Sequence, residues 1–254
     1  EVLPSIKKHS NLIIDKNVES SIYSPTLYSS MYFDRIDEVI FGTLLFNYGE
    51  IEINPFSAEA PKRDPNKILL RDIETEGKIL GLLEQSDFKV ENGRFFLEEE
   101  ELIFDFINDI VPKLHEYCDI YYSDSFKRIG LVGADSFTGG IRLNSGLDML
   151  EFSFDIEGID TSELSNIFKA LREKKKYYKL KNGSFLSLES EELEDIVDIL
   201  EYLDIGTTGL KDGKIYIPKY RTMYLDKMLS DKGMDFIKKN IDFKRLVRDI
   251  NEPE

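Results

Sequence analysis

The spacing of apolar and polar residues changes several times along the chain, and each spacing predicts an element. Ser24–Asp34 and Glu38–Tyr48 are rich in β-branched and aromatic residues, which predicts two strands. Tyr48-Gly49-Glu50 reads as a turn into Ile51–Phe56, where Ile51 and Ile53 alternate with Glu50 and Glu52. Pro55, Pro61 and Pro65 then punctuate a loop. Arg71–Ser86 predicts a helix, with Ile73, Ile79, Leu80, Leu82 and Leu83 on one broad face. Next, Asn92-Gly93 separates Phe88–Val90 from Phe95–Leu97, a hairpin signal because a type I′ turn needs two residues with positive φ. Glu98–Tyr117 predicts a second helix, with four glutamates in its first turn, where the dipole favours anions, and a bend at Pro112.

This order recurs. Thr161–Arg172 is amphipathic, with Leu164, Ile167, Phe168 and Leu171 on one side. A hairpin is expected over Tyr178–Leu186 around Asn182-Gly183, and Glu189–Tyr202 is an acidic-capped helix. A third hairpin is expected at Leu210–Ile217 around Asp212-Gly213, followed by helices at Pro218–Leu229 and Met234–Ile250. Two helix–hairpin–helix units about 90 residues apart, with a third, weaker copy, resemble winged-helix building blocks in outline. The fold expected is α+β, with a β-rich N-terminal part followed by repeated winged-helix-like units. The expected organisation is an acidic subdomain over 1–150, a second over 151–250, and the start of a linker at 251–254.

Charge changes the picture. Across 254 residues the net charge is −16, with hydrophobic residues at 41%, enough for a packed core. A chain this acidic should not coat DNA non-specifically, since the duplex is itself a polyanion. The imbalance is uneven: 15 basic and 27 acidic groups over 1–150, against 18 and 22 over 151–254. The second half therefore holds the credible basic surface. No run of about 18 apolar residues suggests a membrane span. The single Cys118 rules out an internal disulfide and fits a reducing cytoplasm. The absence of an initiator Met and of an evident signal peptide suits a piece of a longer cytoplasmic protein.

Candidate chemistry is sparse. Gly133–Gly140 is Gly-rich but lacks the Gly-Lys-Ser/Thr ending of a phosphate loop, so it reads as a flexible connection between strands. Asp37-Glu38-Val39-Ile40 faintly echoes a helicase metal-binding box, but reads as the start of a strand. His115 and Cys118 have only His9 as a further His or Cys, too few for a tetrahedral zinc site, and no orienting motif makes them a nucleophilic pair. Glu98–Glu101 and Glu189–Glu194 read as helix capping. No catalytic and no metal-binding residue is assigned. The strongest cluster is basic. Lys174, Lys175, Lys176, Lys179 and Lys181, with Tyr177 and Tyr178 embedded, are the nucleic-acid-binding candidates, because lysines neutralise phosphates and tyrosine faces stack on bases. The alternative is a helix C-terminus complemented by cations and running into a solvated strand. A second basic group, Lys238, Lys239, Lys244, Arg245 and Arg248, could face a neighbouring domain.

Several stretches carry a resemblance in their order. Phe46-Asn47-Tyr48-Gly49 leads to Ile53-Asn54-Pro55, and Arg71-Asp72 heads a helix containing Glu74 and Glu76. Phe152-Ser153-Phe154-Asp155 precedes Gly158-Ile159, and the densest piece runs from Lys175 to Leu186. Ile217-Pro218-Lys219-Tyr220-Arg221 follows. Together these are similar to the bacterial Swi/Snf helicase-associated domain. The resemblance implies an accessory region preceding an ATPase core, with ATP-driven movement on DNA belonging to motifs elsewhere. ATP and magnesium are then expected only in that motor, and no cofactor in this chain. The leading expectation is a non-catalytic domain that docks on its own ATPase core and helps position DNA or gate the motor, its acidic first half facing a basic cleft of the motor. A DNA-binding module using Lys174–Lys181 and a protein-recruitment platform without DNA contact stand as alternatives. The recruitment platform would show an exposed apolar groove away from the basic strip.

Overall fold

In the computed structural model, residues 21–61, 67–133, 137–202, 210 and 213–251 are described. The chain divides into two units, 1–128 and 129–254.

The first unit is built on a mixed sheet. Strands β1 (Ile22–Tyr23), β2 (Tyr28–Ile36), β3 (Val39–Tyr48), β4 (Ile51–Ile53), β5 (Ile68–Leu69), β6 (Lys89–Glu91), β7 (Arg94–Leu97) and β8 (Asp119–Tyr122) belong to it. The main sheet has the order β6-β7-β3-β2-β8, with β4 also on β3, and β8 running parallel to β2. The expected strands at 24–34 and 38–48 therefore form, joined by a tight turn at Asp37-Glu38. β3 alternates strictly, burying Ile40, Leu44, Phe46 and Tyr48 on one face. Against that face pack helix α1 (Ile73–Leu83) and a helical run made of α2 (Glu100–Asp105), a π-helical turn (Phe106–Ile110) and α3 (Val111–Leu114). Phe33, Phe95 and Phe106 meet edge-on, with centroids 5.6–6.1 Å apart. Each such buried ring contributes roughly 2–3 kcal/mol. Pro112 has no N–H for its helical bond, and the turn before it widens so that the Val111 N–H reaches the Phe106 carbonyl.

The Asn92-Gly93 turn takes the expected form, with φ of 50° and 75°. The hairpin is not a free wing, however, because β7 continues the sheet by pairing with β3. After β8 the short helix α4 (Asp124–Lys127) closes the unit.

The second unit contains β9 (Leu131–Val132), β10 (Phe137–Asn144), β11 (Met149–Ile156), β12 (Tyr177–Lys179), β13 (Phe185–Ser187), β14 (Lys214–Pro218) and β15 (Ile237–Lys239). Its helices are α5 (Leu164–Arg172), α6 (Glu191–Tyr202), α7 (Thr222–Asp231) and α8 (Ile241–Asn251). One sheet runs β14-β11-β10-β15 and a second β12-β13-β9. The core gathers Phe152, Phe154, Ile215 and Ile217 from the larger sheet with Ile167, Phe168, Ile196, Leu200 and Leu225 from the helices.

Several expectations are corrected here. The boundary expected at 150 falls inside the β10–β11 hairpin, where Leu150 pairs with Leu143, whereas the chain divides at Arg128–Ile129. Gly139 and Gly140 are not a flexible connection but part of β10, and a Cβ on Gly139 would sit 2.3 Å from Ile237 Cδ1, so glycine lets β15 approach. Residues 134–136 of that stretch lie outside the described residues. The helix expected over 234–250 is interrupted, because Ile237–Lys239 pairs in parallel with β10, and Asn240 then caps Phe243 N at 2.8 Å to start α8. The turn of the third expected hairpin, Lys211-Asp212, lies outside the described residues; its second arm, β14, pairs with β11. The helix–hairpin–helix order does recur at 73–114 and 164–202, but each hairpin joins a different, larger sheet, so the described elements do not confirm winged-helix repeats. No helix among the described residues is long and apolar enough to cross a membrane.

Candidate interaction groove and polar clusters

Helix α5 positions the basic strip. Its apolar side buries Leu164, Ile167, Phe168 and Leu171, and Asp160 caps the turn that precedes it. The helix ends in a Schellman loop: Lys174 N–H donates to the Leu171 carbonyl (2.9 Å) and Lys175 N–H to the Ala170 carbonyl (3.1 Å). Lys174 occupies the left-handed position with φ 55°, normally a glycine site. This loop turns Lys174, Lys175 and Lys176 toward a groove of about 760 Å³.

The opposite wall is acidic. The lining places Arg172 and the three lysines against Glu189, Glu194, Asp195, Asp198 and Glu201. Glu194, Asp198 and Glu201 follow at helical spacing along α6, so they share one face. Lys232 pairs with Asp195 and, at 3.0 Å, with Asp198, and these bonds raise its pKa. Lys175 reaches Glu173 at 3.2 Å. The groove is therefore of mixed charge, not a cationic trough.

The remaining candidates point elsewhere. Tyr177 makes a T-shaped contact with Phe185 at 5.2 Å, and Tyr178 packs against the core; both rings are half-buried. Lys179 lies half-buried in β12 opposite Phe185. Lys181 is held by its N–H to Glu163 Oε2 (3.1 Å) and its Nζ to Ser162 Oγ (3.3 Å). The structure thus gathers Lys174–Lys176 at one rim and commits Tyr177, Tyr178, Lys179 and Lys181 to the hairpin. The sequence assigns Glu189–Glu194 to capping and does not place the acid wall of α6, although the Glu/Asp spacing along the helix is visible in it.

Two polar clusters account for the conspicuous motif residues. In the first unit, the buried Tyr48 hydroxyl donates to Glu76 Oε1 (2.6 Å) and accepts the Asp72 N–H (2.7 Å). Arg71 grips both oxygens of Glu76, through Nε at 2.9 Å and through its terminal nitrogen. Burial, and then the bond to Glu76, raise the Tyr48 pKa; the same carboxylate raises that of Arg71. In the second unit, Glu151 on β11 lies beneath Arg142 (2.9 Å) and Lys214 (3.3 Å), with Asn144 at 3.3 Å. The Arg142 bond leads in holding its carboxyl below the usual range. Both clusters are satisfied internally and stitch elements together.

Neither cluster leaves a nucleophile beside a base. His115 Nε2 meets the Tyr122 hydroxyl at 2.8 Å, and the buried Cys118 thiol is pushed up to about 12 by burial. Among the described residues no group of three His, Cys, Asp or Glu side chains could hold a metal.

The chain is a mixed α/β protein of two units whose conspicuous polar motif residues make internal bonds and whose second unit carries a mixed-charge groove. The family model described as "Bacterial SNF2 helicase associated" matches residues 1–254, and the chain belongs to that family. No curated protein and no solved structure matches it.

Proposed function

We propose that this chain is a non-catalytic accessory region of a bacterial SNF2-type helicase, docking on the ATPase core by protein contacts and helping to position DNA. The observation that carries the docking is the groove: its lysine rim faces a wall of carboxylates, a setting that repels a phosphate backbone but suits a protein segment bearing both charges. ATP and magnesium belong to the motor, and the setting is the cytoplasm, beside the nucleoid. The test adds this chain in trans to the separately prepared ATPase core and reads DNA-stimulated ATP hydrolysis. The expected result is a changed rate or DNA dependence that Glu194→Lys/Glu201→Lys abolishes. An unchanged rate with no association by sedimentation sinks the reading.

A recruitment role has one observation in its favour. On the outer face of the first unit's sheet, Tyr32 and Tyr121 are roughly half-exposed and stack at 5.0 Å, beside a hollow of about 340 Å³ that Phe41 also lines. Such an aromatic hollow suits a protein partner. Tyr32→Ala/Tyr121→Ala separates the readings: docking through the groove survives it, whereas an effect on the motor that disappears with it belongs to the recruitment face.

A further inference from the structure

The net charge of −16 conceals a reversal within the second unit. Residues 214–251 hold ten Lys and Arg against five Asp, a net charge of +5, so the remainder carries −21. Many of these cations are occupied: Lys214 by Glu151, Lys219 by Asp148, Lys232 by Asp195 and Asp198, and Lys239 by Asp226. Those on the outside of α8 make only long, exposed pairs. Ile237 enters the core, and strand alternation puts Lys238 on the opposite, exposed face of the sheet. Two residues further, Asn240 starts α8, which buries Phe243 on the core side and leaves Lys244, Arg245 and Arg248 exposed. Arg248 stands four residues from Lys244 and three from Arg245, so the three share one face.

Their acidic neighbours are weak competitors. Asp242 lies 3.9 Å from Arg245, and Asp249 lies 3.6 Å from Arg248, both in exposed pairs worth at most about 1 kcal/mol. Distant carboxylates matter little, because charges more than about 8 Å apart are largely screened at physiological salt.

We propose that Lys244, Arg245 and Arg248 on α8 form a contact surface for the phosphate backbone of duplex DNA. Charge complementarity favours this occupant. A duplex offers a charge every 1.7 Å or so along its axis, so a short rigid face meets several at once. An acidic protein segment is sparser in charge and makes fewer contacts over the same short face. The arginine forks also suit phosphate oxygens. This surface rests on the DNA-positioning part of the reading above, and moves it from Lys174–Lys181 to the C-terminal helix α8.

The test measures binding of this chain to a labelled 20-base-pair duplex from 50 to 200 mM salt. Three phosphate contacts give a logarithmic slope near −2.7, a fall of roughly 40-fold across that range. Lys244→Gln/Arg245→Gln/Arg248→Gln should nearly flatten the slope, and each single change should remove about a third of it, whereas Lys238→Gln, on the other face of the sheet, should leave it unchanged. All these side chains are exposed, so the variants should fold, and circular dichroism checks it. Lys174→Gln/Lys175→Gln/Lys176→Gln should leave the slope unchanged. The proposal is overturned by no binding at 50 mM, by a slope that follows Lys174–Lys176, or by a poly-glutamate 20-mer competing as well as the duplex. If DNA binding fails while the effect on the ATPase core in trans persists, only this surface falls; the converse removes the docking reading alone.

Discussion

Replacing Tyr48 with Phe tests the account of the first unit's polar cluster. The ring is fully buried, and Phe preserves its packing, so the change isolates one hydroxyl. That oxygen makes two bonds, donating to the charged Glu76 carboxylate at 2.6 Å and accepting the Asp72 N–H at 2.7 Å. Losing a bond to a buried charged acceptor costs about 1.5–3 kcal/mol, and stranding a partly buried N–H adds about 1 kcal/mol. Arg71 still neutralises Glu76, which keeps the total near the lower end, at about 3 kcal/mol. With a urea dependence of about 2 kcal/mol per M, the unfolding midpoint should fall by roughly 1.5 M. The assay is urea unfolding followed by circular dichroism, with hydrogen exchange at the start of α1 locating the loss. Glu76→Gln should be strongly non-additive with Tyr48→Phe, since both act on one network. A midpoint shift below about 0.3 M, or simple additivity, would refute the claim that this hydroxyl joins β3 to α1.

Other outcomes follow from single positions. Gly42→Ala would place a Cβ 2.0 Å from the buried Phe95 ring, so it should destabilise by about 3 kcal/mol in the same urea assay. Lys174→Gly relieves the left-handed strain of the Schellman loop and should raise stability by roughly 1 kcal/mol, read as a higher thermal midpoint. Glu151 has a folded pKa below its ordinary 4.5, so its contribution is full above that value and is lost as pH falls through the lower folded pKa; in acid titrations Glu151→Gln should lose less stability than the native chain below pH 4.5. Cys118 should react with a thiol reagent at neutral pH only after unfolding, because burial both shields the thiol and raises its pKa to about 12.

Identical dipeptides show where sequence reading reached its limit. Asn92-Gly93 makes the expected turn, since both residues take positive φ and the loop is two residues long. Asn182-Gly183 does not: only Gly183 is left-handed, and the loop spans 180–184. Here distant partners intervene. Glu163 takes the Lys181 N–H, and Ser184 Oγ takes the Gly130 N–H at 3.2 Å. The basic strip has the same history: a run of lysines predicts a local field, but its opposite wall comes from α6, beyond the hairpin.

The sequence by itself determined the strands β2 and β3, the amphipathic faces of α1, α5 and α6, and the scarcity of His and Cys, with two of the first and one of the second. These depend on local periodicity and residue inventory, which no packing can change. Tertiary structure decided the rest. It cut the last predicted helix to form β15, because Gly139 leaves room for Ile237 to approach, and it committed Tyr177 and Tyr178 to packing. It also set which cations meet carboxylates and which remain outward. Such pairing depends on residues far apart in the chain arriving at one place, and a one-dimensional pattern does not carry that information.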